Sequence, residues 1–266
     1  TLPDLMETAL LHPKSCYPMI GLHPTSVNHA TDFSLSWVYE GLRSGHFIAV
    51  GEVGLDLYWD KTFKTEQERV FRLQLGMARE FKLPVVIHSR ESMPEIISIL
   101  NSEPEVPAKG VFHCFSGTIE EARWAVEKGY YLGIGGPYTY KKSNLPEIVR
   151  SVGLNHIVLE TDSPYLPPVP FRGKRNESSY IRLVAESIAL NEGVSLEEVA
   201  SITSKNARNL FKLGDCKKQE KIMQVQPSVL VIYTGGTIGM IQNKETLALE
   251  PFDFDHLYKH IPVLEG

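Results

Sequence analysis

Short apolar runs alternate along the chain with longer amphipathic segments. The runs contain few polar residues, which is typical of strands buried on both faces of a parallel sheet. The segments between them carry apolar residues at intervals of three and four, as helices that pack on a sheet do. This alternation predicts an α/β fold with a parallel sheet. The predicted strands are residues 17–22, 47–50, 84–87, 110–112, 130–134 and 156–159.

The segment over residues 66–82 has the clearest helical periodicity. Its apolar side chains recur at intervals of three or four residues, which would place them on one face of a helix. This face is predicted to pack on the sheet. Its members are Val70, Leu73, Met77 and Phe81.

Capping signals mark two further helices. Thr118 and Glu121 have the spacing of a capping box, in which each side chain bonds a backbone N–H at the helix start. Ser195 and Glu198 repeat this spacing, and residues 179–191 between the two boxes are amphipathic. We therefore expect helices to follow each of these positions and to close the first domain.

The chain changes character after residue 213. A polar, aperiodic stretch is followed by a new apolar strand signal and by a glycine-rich turn, TGGTIG. The residues that remain after this turn are too few to build a core of their own. We predict a first domain over residues 1–213, a linker over 214–228 and, over 229–266, a truncated α/β segment that begins a second domain.

Composition and charge narrow the function classes. The chain has 266 residues, a formal net charge of -5 and a pI near 6.0, which argues against a protein that coats nucleic acid non-specifically. Cys16, Cys114 and Cys216 are scattered and odd in number, so we predict a reducing compartment and no disulfide framework. No apolar stretch has membrane-spanning length, and the prediction is a soluble, cytoplasmic protein without a membrane partner.

Four ionisable residues stand at the ends of apolar runs: Glu52, His88, His113 and Asp162. Ionisable groups at the ends of buried strands need partners or a metal to offset their desolvation. Imidazoles mixed with carboxylates are ligands that suit Zn²⁺ or Mn²⁺, whereas Mg²⁺ prefers oxygen ligands. This pattern predicts a metal centre built from all four residues.

The same four positions favour a barrel over an open sheet. Strand ends that follow one another around a (β/α) barrel meet at a single mouth, where barrel enzymes carry their chemistry. A barrel of this kind needs about eight strands, and six are predicted here. We therefore expect a TIM-like barrel that lacks its first two strands, which would precede Thr1.

Six motifs occur in order along the first domain: GLHP at 21–24, GEVGLD at 51–56, IHSR at 87–90, HCFSG at 113–117, ETDSP at 160–164 and GKRNES at 173–178. Together, over residues 5–213, they resemble the TatD family of metal-dependent deoxyribonucleases. The resemblance implies a metal-dependent hydrolase barrel that cleaves phosphodiester bonds, with DNA, in particular single-stranded 3′ ends, as the substrate. One family feature, an HxH pair at the end of the first strand, does not occur in this chain, and its loss removes two ligands of one metal.

The chemistry that we expect uses two divalent ions, Zn, Mn or Mg, in the full protein. Glu52 is the expected bridge between them and a catalytic residue, and Asp162 is expected to be both a ligand and the proton acceptor for the attacking water. His23 and Arg90 are assigned to substrate phosphate contacts.

Basic and aromatic residues in the later loops extend the predicted substrate surface. Lys174 and Arg175 are further phosphate candidates, although Arg175 could instead order its own loop through Glu177. Loop tyrosines and phenylalanine could stack on unpaired bases or pack on their own domain. These aromatic residues are Tyr138, Tyr140, Tyr165 and Phe171. Lys141 and Lys142 could contact phosphate or belong to a solvated turn. Gly133, Gly135 and Gly136 could allow close substrate approach or form a tight turn.

The tail carries a second resemblance. VLVIYTGGTIGM, at residues 229–240, is similar to the start of type I cytoplasmic L-asparaginases. This similarity implies Thr237 as the nucleophile and L-asparagine as the substrate of a downstream domain. Other residues that activate this nucleophile in the family would lie beyond Gly266.

Two alternatives to the nuclease remain at this point. A barrel amidohydrolase could cleave a small amide or ester, but many of those enzymes use a modified lysine where this chain has Glu52. A metal-binding module without catalysis, attached to an asparaginase, is the other alternative.

Overall fold

The computed structural model describes residues 2–28, 31–58, 61–103 and 109–213, together with two short strands near the C-terminus. Five parallel strands form one sheet, and each strand pairs with the next one along the chain. This confirms the predicted α/β class with a parallel sheet. The strands are β1 (Val50–Asp56), β2 (Val85–Arg90), β3 (Gly110–Phe112), β4 (Tyr130–Ile134) and β5 (Ile157–Leu159).

The first two predicted strands differ from the structure. Within the described residues, the segment 17–22 contributes a single parallel bridge, from Ile20 to Val50, and does not form a longer ladder. The N–H of Gly51 donates to the carbonyl of Ile20 at 3.0 Å, so this segment still lies along the edge of the sheet. The strand predicted over residues 47–50 starts only at Val50 and continues to Asp56. The prediction ended too early because the GEVGLD motif was interpreted as a strand end, whereas it forms most of the strand.

Helices follow the strands on the pattern of a parallel α/β fold. The capping predictions are confirmed: the Thr118 hydroxyl accepts from the N–H of Glu121, whose carboxylate accepts from the N–H of Thr118. Ser195 likewise accepts from the N–H of Glu198. The helices are α1 (Leu2–Leu11), α2 (Thr31–Arg43), α3 (Lys64–Phe81), α4 (Met93–Ser102), α5 (Ile119–Glu127), α6 (Leu145–Val152), α7 (Ile181–Glu192) and α8 (Leu196–Phe211).

The buried face of α3 is rotated relative to the prediction. Leu73 is 43% exposed, although it was predicted to pack on the sheet. Two glutamines, Gln67 and Gln74, are buried instead, at 4% and 0% exposure. Their amides bond backbone groups of other segments, which satisfies them without water.

The two faces of the sheet have different cover. Most of the core lies on the face that packs on α2 to α7. The other face carries a smaller cluster, in which Val86, Val111 and Val158 pack against Leu210 and Phe211 of α8. Because side chains alternate along a strand, His88 lies on the same face as Val86, two residues beyond it. The helix α8 therefore covers this face of the sheet at the amino ends of the strands. The site residues lie on the same face, at the carboxyl ends.

The predictions for the tail lie almost entirely outside the described residues. The linker over residues 214–228, the glycine-rich turn and Thr237 are among the residues that the structure does not describe. Two short strands are described as backbone, β6 (Met240–Gln242) and β7 (Leu249–Pro251), and they pair antiparallel. Among the described helices, none combines the length and the apolar character that a bilayer crossing requires.

Candidate metal centre

The four predicted ligands come from separate strands and meet in one cluster. Glu52 lies within β1 and His88 within β2, while His113 directly follows β3. Asp162 lies three residues after the end of β5, with a positive φ of 53°. Because parallel strands end at the same edge of a sheet, residues far apart in sequence are brought together here.

Glu52 stands at the middle of the cluster, with a different histidine beside each of its oxygens. Its Oε2 is 3.8 Å from Nδ1 of His88 and 3.5 Å from Nε2 of His23. Its Oε1 is 3.4 Å from Nε2 of His113, and the same nitrogen is 3.4 Å from Oδ1 of Asp162. The carboxylate therefore separates two groups of donor atoms.

These spacings fit a metal centre. Two ligands bound at about 2.1 Å to one tetrahedral ion are separated by about 3.4 Å. The separations from Glu52 to His113 and from His113 to Asp162 have this value. Oε1 of Glu52 is also buried and accepts no hydrogen bond from the described residues, which is costly for an ionised oxygen without a cation nearby. His23, Glu52 and His88 each offer one ligand atom, a ring nitrogen or a carboxylate oxygen, and these atoms lie close enough together to hold a further ion.

Charge as well as geometry prepares the cluster for a cation. Burial raises the pKa of Glu52, but the charge of His113 and a hydrogen bond from His23 outweigh it and bring that pKa to about 2. Burial lowers the pKa of His113, but the carboxylates of Glu160 and Glu52 raise it well above its usual value. In the absence of a metal, the imidazolium of His113 therefore neutralises the buried carboxylates. A bound cation would replace the proton of His113 and supply the positive charge instead.

Two carboxylates that the sequence interpretation did not assign contact the histidines from outside. Asp56 Oδ2 accepts from Nε2 of His88 at 3.0 Å, and Glu160 Oε2 accepts from Nδ1 of His113 at 3.0 Å. A signal for Asp56 was present, since it lies four residues after Glu52 and so on the same side of a strand. Glu160 opens the ETDSP motif, but its partner is 47 residues away and only the fold reveals it.

Burial and hydrogen bonding also set the charges of His88 and Asp56. Burial lowers the pKa of His88 more than its hydrogen bond to Asp56 raises it, so this imidazole is neutral near pH 7. Burial raises the pKa of Asp56, but the hydrogen bond from His88 outweighs it and the pKa is below its usual value. A neutral His88 that donates through Nε2 keeps a lone pair on Nδ1, the atom that faces Glu52.

His23 differs from the other two histidines in its hydrogen bonds. Its Nδ1 accepts from the backbone N–H of Thr25 at 3.2 Å and lies 2.7 Å from the Thr25 hydroxyl. An imidazole that accepts at Nδ1 carries its proton on Nε2 when neutral, and Nε2 is the atom that faces Glu52. By distance His23 can join the metal ligands, but its proton makes it a hydrogen-bond donor at the site.

Gly133 has a different function from the two that the sequence left open. A Cβ on this residue would collide with Oε2 of Glu160. The glycine therefore leaves room for the carboxylate that bonds His113. A Cβ on Gly136 would collide with the backbone of Leu166, so this glycine allows a distant segment of the same chain to pack closely against it.

The predicted phosphate-binding residues lie beside aromatic rings. The guanidinium of Arg90 is 4.0 Å from the ring centre of Tyr58, and Nζ of Lys174 is 5.8 Å from that of Phe171. Arg175 is exposed in the same loop as Lys174. The ion pairs of Glu52 described above are with His23, His88 and His113 and include none of these three.

The aromatic residues of the loops divide into two groups. Tyr138 is buried, at 2% exposure, and its hydroxyl accepts from Asn191, so of the two alternatives this ring packs on its own domain. The ring of Phe171 stacks on Tyr180 with centres 4.2 Å apart. Tyr165, at 51% exposure, presents a large accessible ring near Asp162 in sequence.

Comparisons with known proteins point to metal-dependent hydrolases. The family model for TatD related DNase matches residues 1–212. The chain is 42% identical over 199 residues to YabD, an uncharacterized metal-dependent hydrolase of Bacillus subtilis (strain 168), covering 74% of this chain and 78% of YabD. It is 32% identical over 219 residues to the 3'-5' ssDNA/RNA exonuclease TatD of Erwinia tasmaniensis, covering 78% of this chain and 83% of that protein.

A solved structure supports the same relationship. The crystal structure of YjjV, a TatD homologue from Escherichia coli K12, matches with a TM-score of 0.73 at 29% identity, covering 80% of this chain and 83% of YjjV. The parallel α/β sheet described above is consistent with the barrel-type hydrolase fold that was predicted.

Proposed function

Because this chain belongs to the TatD-related DNase family and is a metal-dependent hydrolase, we propose that it removes nucleotides from the 3′ ends of single-stranded DNA. The exonuclease activity is suggested by one relative, the 3'-5' ssDNA/RNA exonuclease TatD of Erwinia tasmaniensis. The observation that carries the proposal is the position of Glu52, whose two oxygens face donor atoms of different histidines.

Glu52, His88, His113 and Asp162 are the ligands that this chain would contribute to a centre of two divalent ions in the full protein, with Glu52 as the expected bridge. When bound, such ions lower the pKa of a water molecule and neutralise the charge that develops on a phosphodiester. Glu52 supports this function because it is ionised and buried, and so presents a fixed negative charge at the centre of the site.

Asp162 and His23 are the residues that would handle protons and the phosphate. The Asp162 carboxylate is 19% exposed, so that it can accept a proton from a water and return it to solvent. His23 would donate from Nε2 to a non-bridging phosphate oxygen, because its Nδ1 already accepts from Thr25. This assignment keeps His23 as a substrate contact.

The surrounding loops would bind the strand beyond the cleaved bond. Arg90, Lys174 and Arg175 supply positive charge for the phosphates, and the exposed ring of Tyr165 offers a surface for an unpaired base. Such stacking is available to single-stranded ends and not to bases held within a duplex, which favours a single-stranded substrate.

A nuclease assay tests the proposal. A single-stranded DNA oligonucleotide with a fluorescent 5′ label is incubated with Mn²⁺ and the full protein, which includes the first-strand HxH pair, and the lengths of the products are followed by electrophoresis. We expect a ladder that shortens from the 3′ end, and we expect Glu52→Ala to abolish it. Glu186→Ala is the matched control, because Glu186 pairs with Arg182 on the exposed surface of α7.

The substrate controls separate the alternatives. An oligonucleotide blocked at its 3′ end should resist shortening, and a duplex should be degraded more slowly. Hydrolysis of a small cyclic amide by the wild type, without any shortening of DNA, would instead favour an amidohydrolase. Equal nuclease activity in the wild type and Glu52→Ala would remove the basis of the proposal.

A further inference from the structure

We propose that Asp56 and Glu160 are positioning residues that choose which nitrogen of His88 and of His113 faces Glu52. Asp56 bonds Nε2 of His88, which leaves Nδ1 toward Oε2 of Glu52. Glu160 bonds Nδ1 of His113, which leaves Nε2 toward Oε1 of Glu52. The two histidines therefore present opposite ring nitrogens to the two oxygens of one carboxylate. This inference rests on the metal centre of the proposed function.

The Asp56 carboxylate is fixed by contacts of its own. It is 3% exposed, and its Oδ1 accepts from the N–H of Tyr58 at 3.1 Å. Its backbone is bound on both sides by the side chain of Gln67, which accepts from the N–H at 2.9 Å and donates to the carbonyl at 3.3 Å. Rotation of this carboxylate away from His88 would break the bond to Tyr58.

The Glu160 carboxylate is fixed in an equivalent way on the other side of the site. Its Oε1 accepts from the N–H of Cys114 at 2.7 Å, and Cys114 directly follows the histidine that the other oxygen holds. The absence of a side chain at Gly133 provides the space that Oε2 occupies. Backbone and side chain of residues 113 and 114 thus bind one carboxylate together.

These contacts give each amide substitution a specific consequence. One oxygen of each carboxylate already accepts a backbone N–H, so an amide would keep its oxygen there and turn its NH₂ toward the histidine. The histidine nitrogen would then have to accept, and its proton would move to the nitrogen that faces Glu52. Asp56→Asn should therefore disable His88 as a ligand, and Glu160→Gln should disable His113.

Loss of charge is a simpler explanation that Gly133→Ala can separate. This substitution leaves every charged group in place but pushes the Glu160 carboxylate away from His113. If Glu160 acts by position, Gly133→Ala should resemble Glu160→Gln. If it acts only by its charge, Gly133→Ala should resemble the wild type. Glu186→Gln, on exposed α7, controls for removal of a charge elsewhere.

The experiment uses the whole chain labelled with ¹⁵N-histidine and loaded with Zn²⁺, and long-range ¹H–¹⁵N NMR spectra distinguish a metal-bound nitrogen from an N–H. In the wild type we expect coordination through Nδ1 of His88 and Nε2 of His113. Glu160→Gln should remove the His113 pattern and keep that of His88, and Asp56→Asn should do the reverse. Calorimetry should show affinity for Zn²⁺ weakened by about 10- to 100-fold in each variant.

Each other outcome overturns the inference. Wild-type nitrogen patterns in both amide variants, or loss of both histidines from either one, would show that the carboxylates do not select the nitrogen. If Glu160→Gln does not fold, Gly133→Ala and Asp56→Asn decide the question by the same spectra. Coordination as predicted without DNA cleavage would leave this inference standing while the proposed nuclease function fails.

Discussion

Replacement of Gln74 by methionine should destabilise the protein, although the residue carries no charge. Gln74 is completely buried on α3, and its side chain bonds the backbone of Leu22, which is 52 residues away in the sequence. Its Oε1 accepts from the N–H of Leu22 at 2.6 Å, and its Nε2 donates to the carbonyl of Leu22 at 3.1 Å. Methionine has a similar volume, so the change removes both hydrogen bonds and opens little cavity.

The magnitude follows from the two backbone groups that lose their partner. A buried polar group left without a hydrogen bond costs about 1–3 kcal/mol. Leu22 is only partly buried, so water can replace some of the loss, and the methionine gains from its own burial. We therefore expect the free energy of unfolding to fall by about 2–3 kcal/mol.

Urea unfolding followed by circular dichroism measures this difference, with the slope of the transition compared between variants. Thr65→Met is the matched control, since Thr65 is exposed on the same helix and should change stability by less than about 0.5 kcal/mol. Equal unfolding midpoints for the two methionine variants would refute the reasoning. The next residue after Leu22 is His23, so Gln74→Met should also slow DNA cleavage while the affinity for Zn²⁺ stays within about twofold of wild type.

Two further predictions concern the strand ends and the metal. Asn206→Leu should lower the free energy of unfolding by about 2 kcal/mol, because Asn206 is buried on α8 and donates to the carbonyls of Leu154 and Ile157, both at 2.8 Å; an unchanged urea midpoint would contradict this. Mn²⁺ at about 100 times its dissociation constant should stabilise the wild type by about 2.7 kcal/mol in thermal unfolding, with EDTA reversing the effect. Glu52→Ala should gain much less, and equal gains would place the binding outside the proposed centre.

The sequence was informative where local chemistry and local structure coincide. Glu52, His88 and His113 each belong to an apolar run, and a buried strand leaves an ionisable side chain few alternatives to a partner or a metal. The capping box at Thr118 and the side-chain cap at Ser195 were predictable for the same reason, because both partners of each contact lie within one helical turn. The structure brings the first group together and confirms the second.

The sequence was uninformative where the partner is distant. Gln67 and Gln74 were overlooked on the buried face of α3 because a glutamine is ordinarily a surface residue, and only its backbone partners in other segments make burial favourable. Leu73 was misplaced for the converse reason, since an apolar residue at helical spacing can remain exposed. The strand over residues 17–22 was predicted from composition, which cannot reveal that its pairing is limited to one bridge.

The residues that the sequence did not reveal are hydrogen-bonded to the site residues that it did reveal, or to the backbone beside them. Gln74 holds the backbone next to His23, and Gln67 holds the backbone of Asp56, which in turn bonds His88. Both glutamines belong to α3 and are seven residues apart, so two helical turns align them along one face. A single helix therefore sets the position of two histidines on the same side of Glu52. His113, on the other side, depends instead on Glu160, so disruption of α3 and disruption of Glu160 should impair different halves of one centre.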